Sequence, residues 1–430
     1  MLDNTLPLLS QGYAWLPDLT RRRGPGAVRT RLLGKPAIAL RGPAAVGFFY
    51  DEDHVRRRTA LPEPILATLF GKGAVHTLDG AEHRRRKDLF VTVLKDTAGV
   101  TGLARHVADE WERSCKEWAD RPQVTLFDEV SVLITRAVCA WAGVPLPEHP
   151  DDESRRTARD LVAMVDGFAT AGPRHWKARA ARRRQEARLA RLIEDVRSAG
   201  GESSMSKPKP KPKSKGAGEP HSVVAAVAFH RDADGELLAP RTAAVELLNI
   251  LRPTVAVTWF TVFGAHALHR HPALRKRLAA GDEGYARAFA HEVRRFYPFA
   301  PFVAGLAPDD IEWHGEPIAE GTMVLLDLYG QNHDPELWDA PYTFDPERFT
   351  GREPGRDELV PQGGGEVSQG HRCPGEDVTL AVLSTLLPRL ARLDHDVPEQ
   401  DLRIPLNRVP TKPRSGFVIS GVTKREKGTQ

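Results

Sequence analysis

A cysteine at the mouth of an apolar helix places the narrowest limits on this chain. Cys373 is followed by Pro374, Gly375, Glu376 and Asp377, and then by residues 378–387, which are apolar on nearly every side. Proline suits the first helical position and acids suit the first turn, so the spacing predicts a buried helix over 376–393 with Cys373 at its N-terminus. Free amides and the positive end of the helix dipole favour a thiolate there. The run Gly363-Gly364-Gly365 just upstream would let the backbone approach a large planar ligand closely. A lone cysteine in this position also reads as a small buried hydrophobe. It reads less well as a nucleophile, because no His or Asn motif of a thiol enzyme accompanies it.

The other two cysteines, Cys115 and Cys139, lie inside amphipathic stretches and are expected in the core. Three unevenly spaced cysteines in 430 residues supply neither a disulfide framework nor a zinc cluster, which points to reduced thiols and a cytoplasmic setting. Residues 1–13 lack a basic segment followed by an apolar one, and no uncharged apolar run approaches about 18 residues, so neither export nor a membrane span is expected. The net charge is +4, and the basic runs at 21–23, 56–58, 84–87 and 182–184 are scattered without a nucleic-acid module around them. They read as solvated faces and local ion pairs. The alternative is that some of these cations pair with an anionic cofactor.

Residues 1–60 carry short strand-like runs, such as 36–40, between Gly and Pro. Helical periodicity then covers 102–118, 126–142, 151–170, 175–198, 241–269 and 284–297. The low-complexity stretch at 202–220, with its Lys-Pro alternation, cannot build helix or core and is expected to be a loop between two helices. Extended pieces follow at 311–314 and 316–328. The coarse class is mainly α with a small β region, in one domain over 1–430.

Three further segments occur in order. In His291-Glu292-Val293-Arg294-Arg295-Phe296-Tyr297-Pro298, Glu292 and Arg295 share a helix face, where they can ion-pair and point a spare guanidinium outward. Pro346-Glu347-Arg348-Phe349 comes next, then Gln362-Gly363-Gly364-Gly365 leading to His371-Arg372-Cys373-Pro374-Gly375. This succession resembles the cytochrome P450 superfamily, with its Glu-x-x-Arg pair, its locking Pro-Glu-Arg-Phe segment and its cysteine loop. The resemblance implies a helical bundle around haem b, with Cys373 as axial thiolate. It departs at Glu366, seven residues before the cysteine, where the family usually has Phe. It also implies that His83 and Lys87, one helical turn apart, meet the haem propionates, with Arg57 as a further candidate and Gln362 as part of the cofactor loop.

The segment 241–260 puts Val245, Leu248, Arg252, Val255 and Trp259 on one face, so a single cation interrupts an apolar stripe. Glu246 is turned to another side, and a buried guanidinium without an anion is costly, so its partner must come from elsewhere in the fold or from a ligand. Pro253 inside the helix should kink it and open space beside the site. An ordinary monooxygenase of the superfamily carries an acid-alcohol pair here; this chain has Arg252-Pro253, followed by Thr254 with no acid before it. Asn249-Ile250-Leu251-Arg252-Pro253, with Phe70, His76 and the Gln-Gly-Gly-Gly loop, resembles the bacterial fatty-acid peroxygenase branch.

That resemblance implies oxidation of a long-chain fatty acid by hydrogen peroxide, with the carboxylate on Arg252 standing in for the missing acid-base. The products would be 2- or 3-hydroxy acids or, by decarboxylation, terminal alkenes. His76 occupies a distal position where hydroxylating relatives often carry Gln, and Phe70 would pack on it; His76 also reads as a hydrogen-bonded loop residue with no influence on products. The competing readings are a monooxygenase fed by a redox partner and acting on a non-acid substrate, and a haem-binding sensor or carrier without turnover.

Overall fold

The computed structural model describes residues 3–24, 26–60, 62–146, 151–205 and 222–423. Two short helices, α1 (Thr5–Gln11) and α2 (Trp15–Arg23), open the chain where strand-like runs alone were expected. The predicted strand at 36–40 is present as β2 (Lys35–Leu40), paired antiparallel with β1 (Val28–Leu32) and followed by α3 (Pro43–Phe49). Two strands from late in the chain complete this sheet. β7 (Met323–Asp327) runs parallel to β2 with Ala37 opposite Met323, and β4 (Phe302–Leu306) is antiparallel to β7, giving the order β1-β2-β7-β4.

The expected extended piece at 316–328 is interrupted. Its first part, β6 (Glu316–Ile318), pairs with β5 (Ile311–Trp313). A turn then folds back through the Ala307 amide to the Thr322 carbonyl at 3.0 Å before β7 begins. Asp327 ends that strand by accepting the Gly330 amide at 2.8 Å, which starts α14 (Leu328–Asn332). A last small pair joins β3 (Gln123–Thr125) to β8 (Val418–Ser420).

Helices make up the rest: α4 (Glu63–Leu69), α5 (Gly80–Leu94), α6 (Thr97–Ala119), α7 (Leu126–Ala142), α8 (Asp151–Asp166), α9 (Pro173–Met205) and α10 (Val223–Ala228) precede the centre. The central α11 (Pro240–Arg270), α12 (Pro272–Ala279), α13 (Glu283–Phe296) and, after the cysteine, α15 (Glu376–Arg392) follow. α6 begins five residues before the expected 102 because Asp96 caps it, accepting the amides of Ala98 and Gly99 at 3.1 and 2.9 Å. α8 stops at Asp166, short of 170. A side chain at Gly167 would press into the Arg174 carbonyl at 2.7 Å, so the chain turns there against α9. α9 runs past 198 to Met205, so the first residues of the predicted 202–220 loop are helical, and 206–220 lie outside the described residues.

α11 is long and apolar enough to cross a bilayer by composition, yet 94% of that window is buried within the protein. It packs against α7, α9 and α15, and its side chains join theirs in the largest apolar cluster. The helix is therefore the axis of the fold, with α15 bringing Cys373 alongside it.

Glu292 and Arg295 on α13 form the expected ion pair at 2.7 Å, and both are 0% exposed. The guanidinium does not point outward: it also donates to the carbonyls of Asn332, Pro341 and Thr343 at 2.8, 2.9 and 3.2 Å. Arg348 approaches Glu292 to 3.7 Å, and the Asp345 amide donates to it at 2.8 Å. Together these bonds fasten the irregular segment ahead of the cysteine loop. Arg295→Ala would leave a buried carboxylate uncompensated at a cost of about 3–5 kcal/mol. We expect it to abolish or sharply depress the folded fraction in denaturant titrations; a midpoint equal to that of the unaltered protein would refute this role.

Candidate active site

Cys373 sits where the sequence places it, just before α15, with its amide donating to the Gln362 carbonyl at 3.4 Å. Burial pushes its thiol up, as does Glu376, while the Gly375 amide, Lys87 and Arg294 draw it down. The Gly375 amide at the helix terminus pulls toward the thiolate as expected, but desolvation outweighs it and the net direction is upward. Gln362 lies beside the sulfur. Its Nε2 is 3.8 Å from Sγ and 3.0 Å from the Thr379 hydroxyl, while its Oε1 accepts from Arg294 at 3.2 Å. The glycine run also fits the loop to its protein neighbours. Gly365 has φ +78°, and a side chain there would meet the Tyr50 Cβ at 2.7 Å, while one at Gly364 would collide with Val46. These glycines let the loop lie flat on α3 and Tyr50.

A wall of cations and imidazoles stands next to the loop. The Lys87 ammonium donates to the Arg372 carbonyl at 2.5 Å. His83 stacks on His371 with ring centroids 3.8 Å apart. Burial first, then His371 and Lys87, push His83 down to about 3; burial, with Arg57 and Lys87 near, holds His371 at about 4. Burial likewise brings Lys87 down to about 8, opposed by Cys373. Arg57 lies over the rings of Phe49 and Tyr50 at 4.1 and 5.2 Å and donates to the Ala304 carbonyl at 2.9 Å. Two carboxylates reach this wall. Glu52 is 3.8 Å from His83 Nδ1, and Asp79 is 3.7 Å from His371 Nε2. Neither is within hydrogen-bonding distance, and both ring nitrogens are buried with no hydrogen bond among the described residues. His371 escaped the sequence reading although it stands two residues before the cysteine.

Across from the cysteine, α11 presents Arg252, 5% exposed. Its Nη2 donates to Asn249 Oδ1 at 3.3 Å, and its Nε has no hydrogen bond among the described residues. Burial and the neighbouring Arg182 push the guanidinium down to about 9, opposed by Cys373. Glu246 does turn elsewhere, pairing with Arg86 at 2.7 Å. α11 continues through Pro253 as one helix. Between Ala243 and Ala265, Pro253 is the one residue that is not buried. Thr254 turns its hydroxyl back to the Ile250 carbonyl at 2.9 Å. Phe70 packs on His76, with centroids 4.4 Å apart, and on Phe168 at 5.9 Å. Gly71, with φ +89°, lets this loop press against Val245 of α11 and Arg182 of α9. Burial, then Arg252 and His371, push His76 well below its usual value, so its ring is neutral near pH 7.

The arrangement fits haem. Unpartnered ring nitrogens of His83 and His371, with Lys87 and Arg57 beside them, suit the two propionates, and Cys373 offers a ligand sulfur.

Comparison with known proteins gives the same result. The cytochrome P450 family model matches residues 284–418. A putative cytochrome P450 137 of Mycobacterium tuberculosis is 27% identical over 94% of this chain and 85% of its own length. Cytochrome P450SP alpha (CYP152B1), solved in complex with (R)-ibuprofen, superposes with a TM-score of 0.90 at 41% identity, over 98% of this chain and 99% of that one. This chain is a cytochrome P450 of the CYP152 family. A variant of P450 OleT in complex with arachidonic acid superposes with a TM-score of 0.91 at 34% identity, over 100% of this chain and 98% of the other. P450EX alpha (CYP152N1) with myristic acid gives 0.89 at 34% identity, over 99% and 98%. The P450 is a haem-thiolate oxidoreductase whose helical fold, with its small sheets, is that of its family.

Proposed function

We propose that this P450 uses hydrogen peroxide to oxidise long-chain fatty acids, by decarboxylation to terminal alkenes and by α- or β-hydroxylation. The observation that carries the reading is Arg252: a buried guanidinium with one neutral hydrogen-bond partner and, among the described residues, no carboxylate. Two CYP152 relatives solved with arachidonic and myristic acids support an acid as the missing anion. The cytosol, the use of the chain as one catalytic domain and hydrogen peroxide as oxidant belong to the same proposal, with a redox partner as the other source of electrons.

Haem, when bound, supplies O–O bond cleavage and hydrogen abstraction. Cys373 holds its metal, and Gln362 orients an amide N–H toward the sulfur. His83, His371, Lys87 and Arg57 would receive the propionates. Glu292, Arg295 and Arg348 support the loop from behind. Arg252 takes the substrate carboxylate in a bidentate pair, so the Cα and Cβ atoms stand nearest the reacting centre while the tail fills apolar space. The pair Arg252-carboxylate then holds the proton that an acid-alcohol pair would hold in a monooxygenase. Thr254 is not available for that task, since its hydroxyl proton is directed to Ile250.

Phe70 fixes the ring plane of His76 beside this pair. Replacing His76 by Gln is expected to shift the alkene-to-hydroxy-acid ratio toward hydroxylation by about threefold, a partition change of ~0.6 kcal/mol. Identical product ratios from gas chromatography would remove His76 from the reaction. The function itself is tested by incubating holoprotein with hydrogen peroxide and palmitic acid and analysing the products. Turnover that needs NADPH and a reductase, with none from peroxide, would select the monooxygenase reading instead.

A further inference from the structure

The Arg252 guanidinium is held through Asn249 by groups that do not touch it themselves. Glu246, one and a half turns earlier on α11 and 0% exposed, uses both carboxylate oxygens. Oε1 accepts the Val75 amide at 2.9 Å and Arg86 Nη1 at 2.7 Å; Oε2 accepts Asn249 Nδ2 at 3.2 Å. Arg86, on α5, also grips Asp232 through its other nitrogens. Asn249 Nδ2 donates a second time, to the Phe70 carbonyl at 3.0 Å, a carbonyl that Arg182 also holds. With both amide hydrogens committed to acceptors, Asn249 is left with Oδ1 for Arg252.

We propose that Glu246 is a positioning residue that sets Arg252 and His76 in a fixed relation to each other, so that it governs both carboxylate binding and the division of products. This rests on the reading of Arg252 as the carboxylate anchor. One end of Glu246 dictates which way the Asn249 amide faces, and hence where the Arg252 fork lies. The other end fixes the backbone of Val75, the residue before His76. A carboxylate is required because all three groups that meet it are donors: the Val75 N–H, the Arg86 guanidinium and the Asn249 amide. A carboxamide of the same shape must aim an N–H at one of them. Relief comes when Asn249 turns over, which presents its amide hydrogens to Arg252 in place of an acceptor and drives the guanidinium from its position.

The test is Glu246→Gln in the holoenzyme. Palmitic acid is titrated by its effect on the haem Soret band, followed by peroxide kinetics and product analysis. We expect the Kd for the acid to rise about tenfold to a hundredfold, as for loss of a hydrogen bond to a charged group. The alkene-to-hydroxy-acid ratio should change as well, while the thiolate signature of the reduced carbonyl complex stays intact. A melting temperature that falls with unchanged Kd and product ratio would reduce Glu246 to a packing role and overturn the proposal. Should that variant not fold, Asn249→Ser keeps the Glu246–Arg86 pair and removes the acceptor for Arg252. Weaker acid binding of the same order supports the link, and a Kd and product ratio equal to those of the unaltered enzyme overturn it. Failure of the unaltered enzyme to oxidise the acid with peroxide would instead strike the proposed function.

Discussion

Arg252→Ala is expected to lose fatty-acid oxidation while keeping its haem. Two separable losses add. The bidentate pair with the carboxylate is gone, which for a hydrogen-bonded charged contact corresponds to about 1.5–3 kcal/mol of binding. The acid is also no longer held where its carboxylate can move the peroxide proton, and general acid-base contributions run to about 10²–10⁴ in rate. The expected fall in kcat/KM is therefore about 10³–10⁶-fold, mostly in kcat if the tail alone still draws the acid in. The guanidinium contributes no ion pair to the fold among the described residues, so its removal should leave the melting temperature unchanged or raise it. Normal turnover of palmitic acid by the variant would refute the anchor.

Cys373→Ala should remove the red-shifted Soret band of the reduced carbonyl complex and all peroxide-driven oxidation above background. The far-UV circular dichroism should be retained. Cys373 is half-buried and stands outside the largest apolar cluster, and the helix behind it keeps its packing through Val378, Leu380, Val382 and Leu383. Persistence of the thiolate-type spectrum would mean that another group ligates the metal. Cys115 and Cys139 do not offer one: burial pushes both thiols up to about 12, and they lie within α6 and α7.

Local pattern carried the elements whose signals are local. The helix predicted after Cys373 ends within one residue of the observed α15, and α7 matches at both ends, because periodicity and capping chemistry are written in consecutive residues. The elements misjudged were those decided by distant partners. The residues 316–328 break into two strands because one must pair with β2 and β4 and the other with β5. The glycines at 363–365 serve Tyr50 and Val46, more than 300 positions away, which no reading of the loop itself could disclose. At the site, Arg252 was legible because a cation in an apolar stripe is anomalous wherever the chain goes. His371 was not, because a histidine in a loop acquires meaning only when His83 stacks against it.

The turned-back hydroxyl of Thr254 and the unpaired guanidinium of Arg252 together have a consequence for how the protein survives its own oxidant. Without a bound acid neither Thr254, whose hydroxyl is turned to Ile250, nor the Arg252 guanidinium supplies the acid-base group that peroxide activation calls for. The cargo carries the missing part, and the lock is armed only when the cargo is aboard. Such an interlock spares the haem and the polypeptide from idle self-oxidation between meals of substrate.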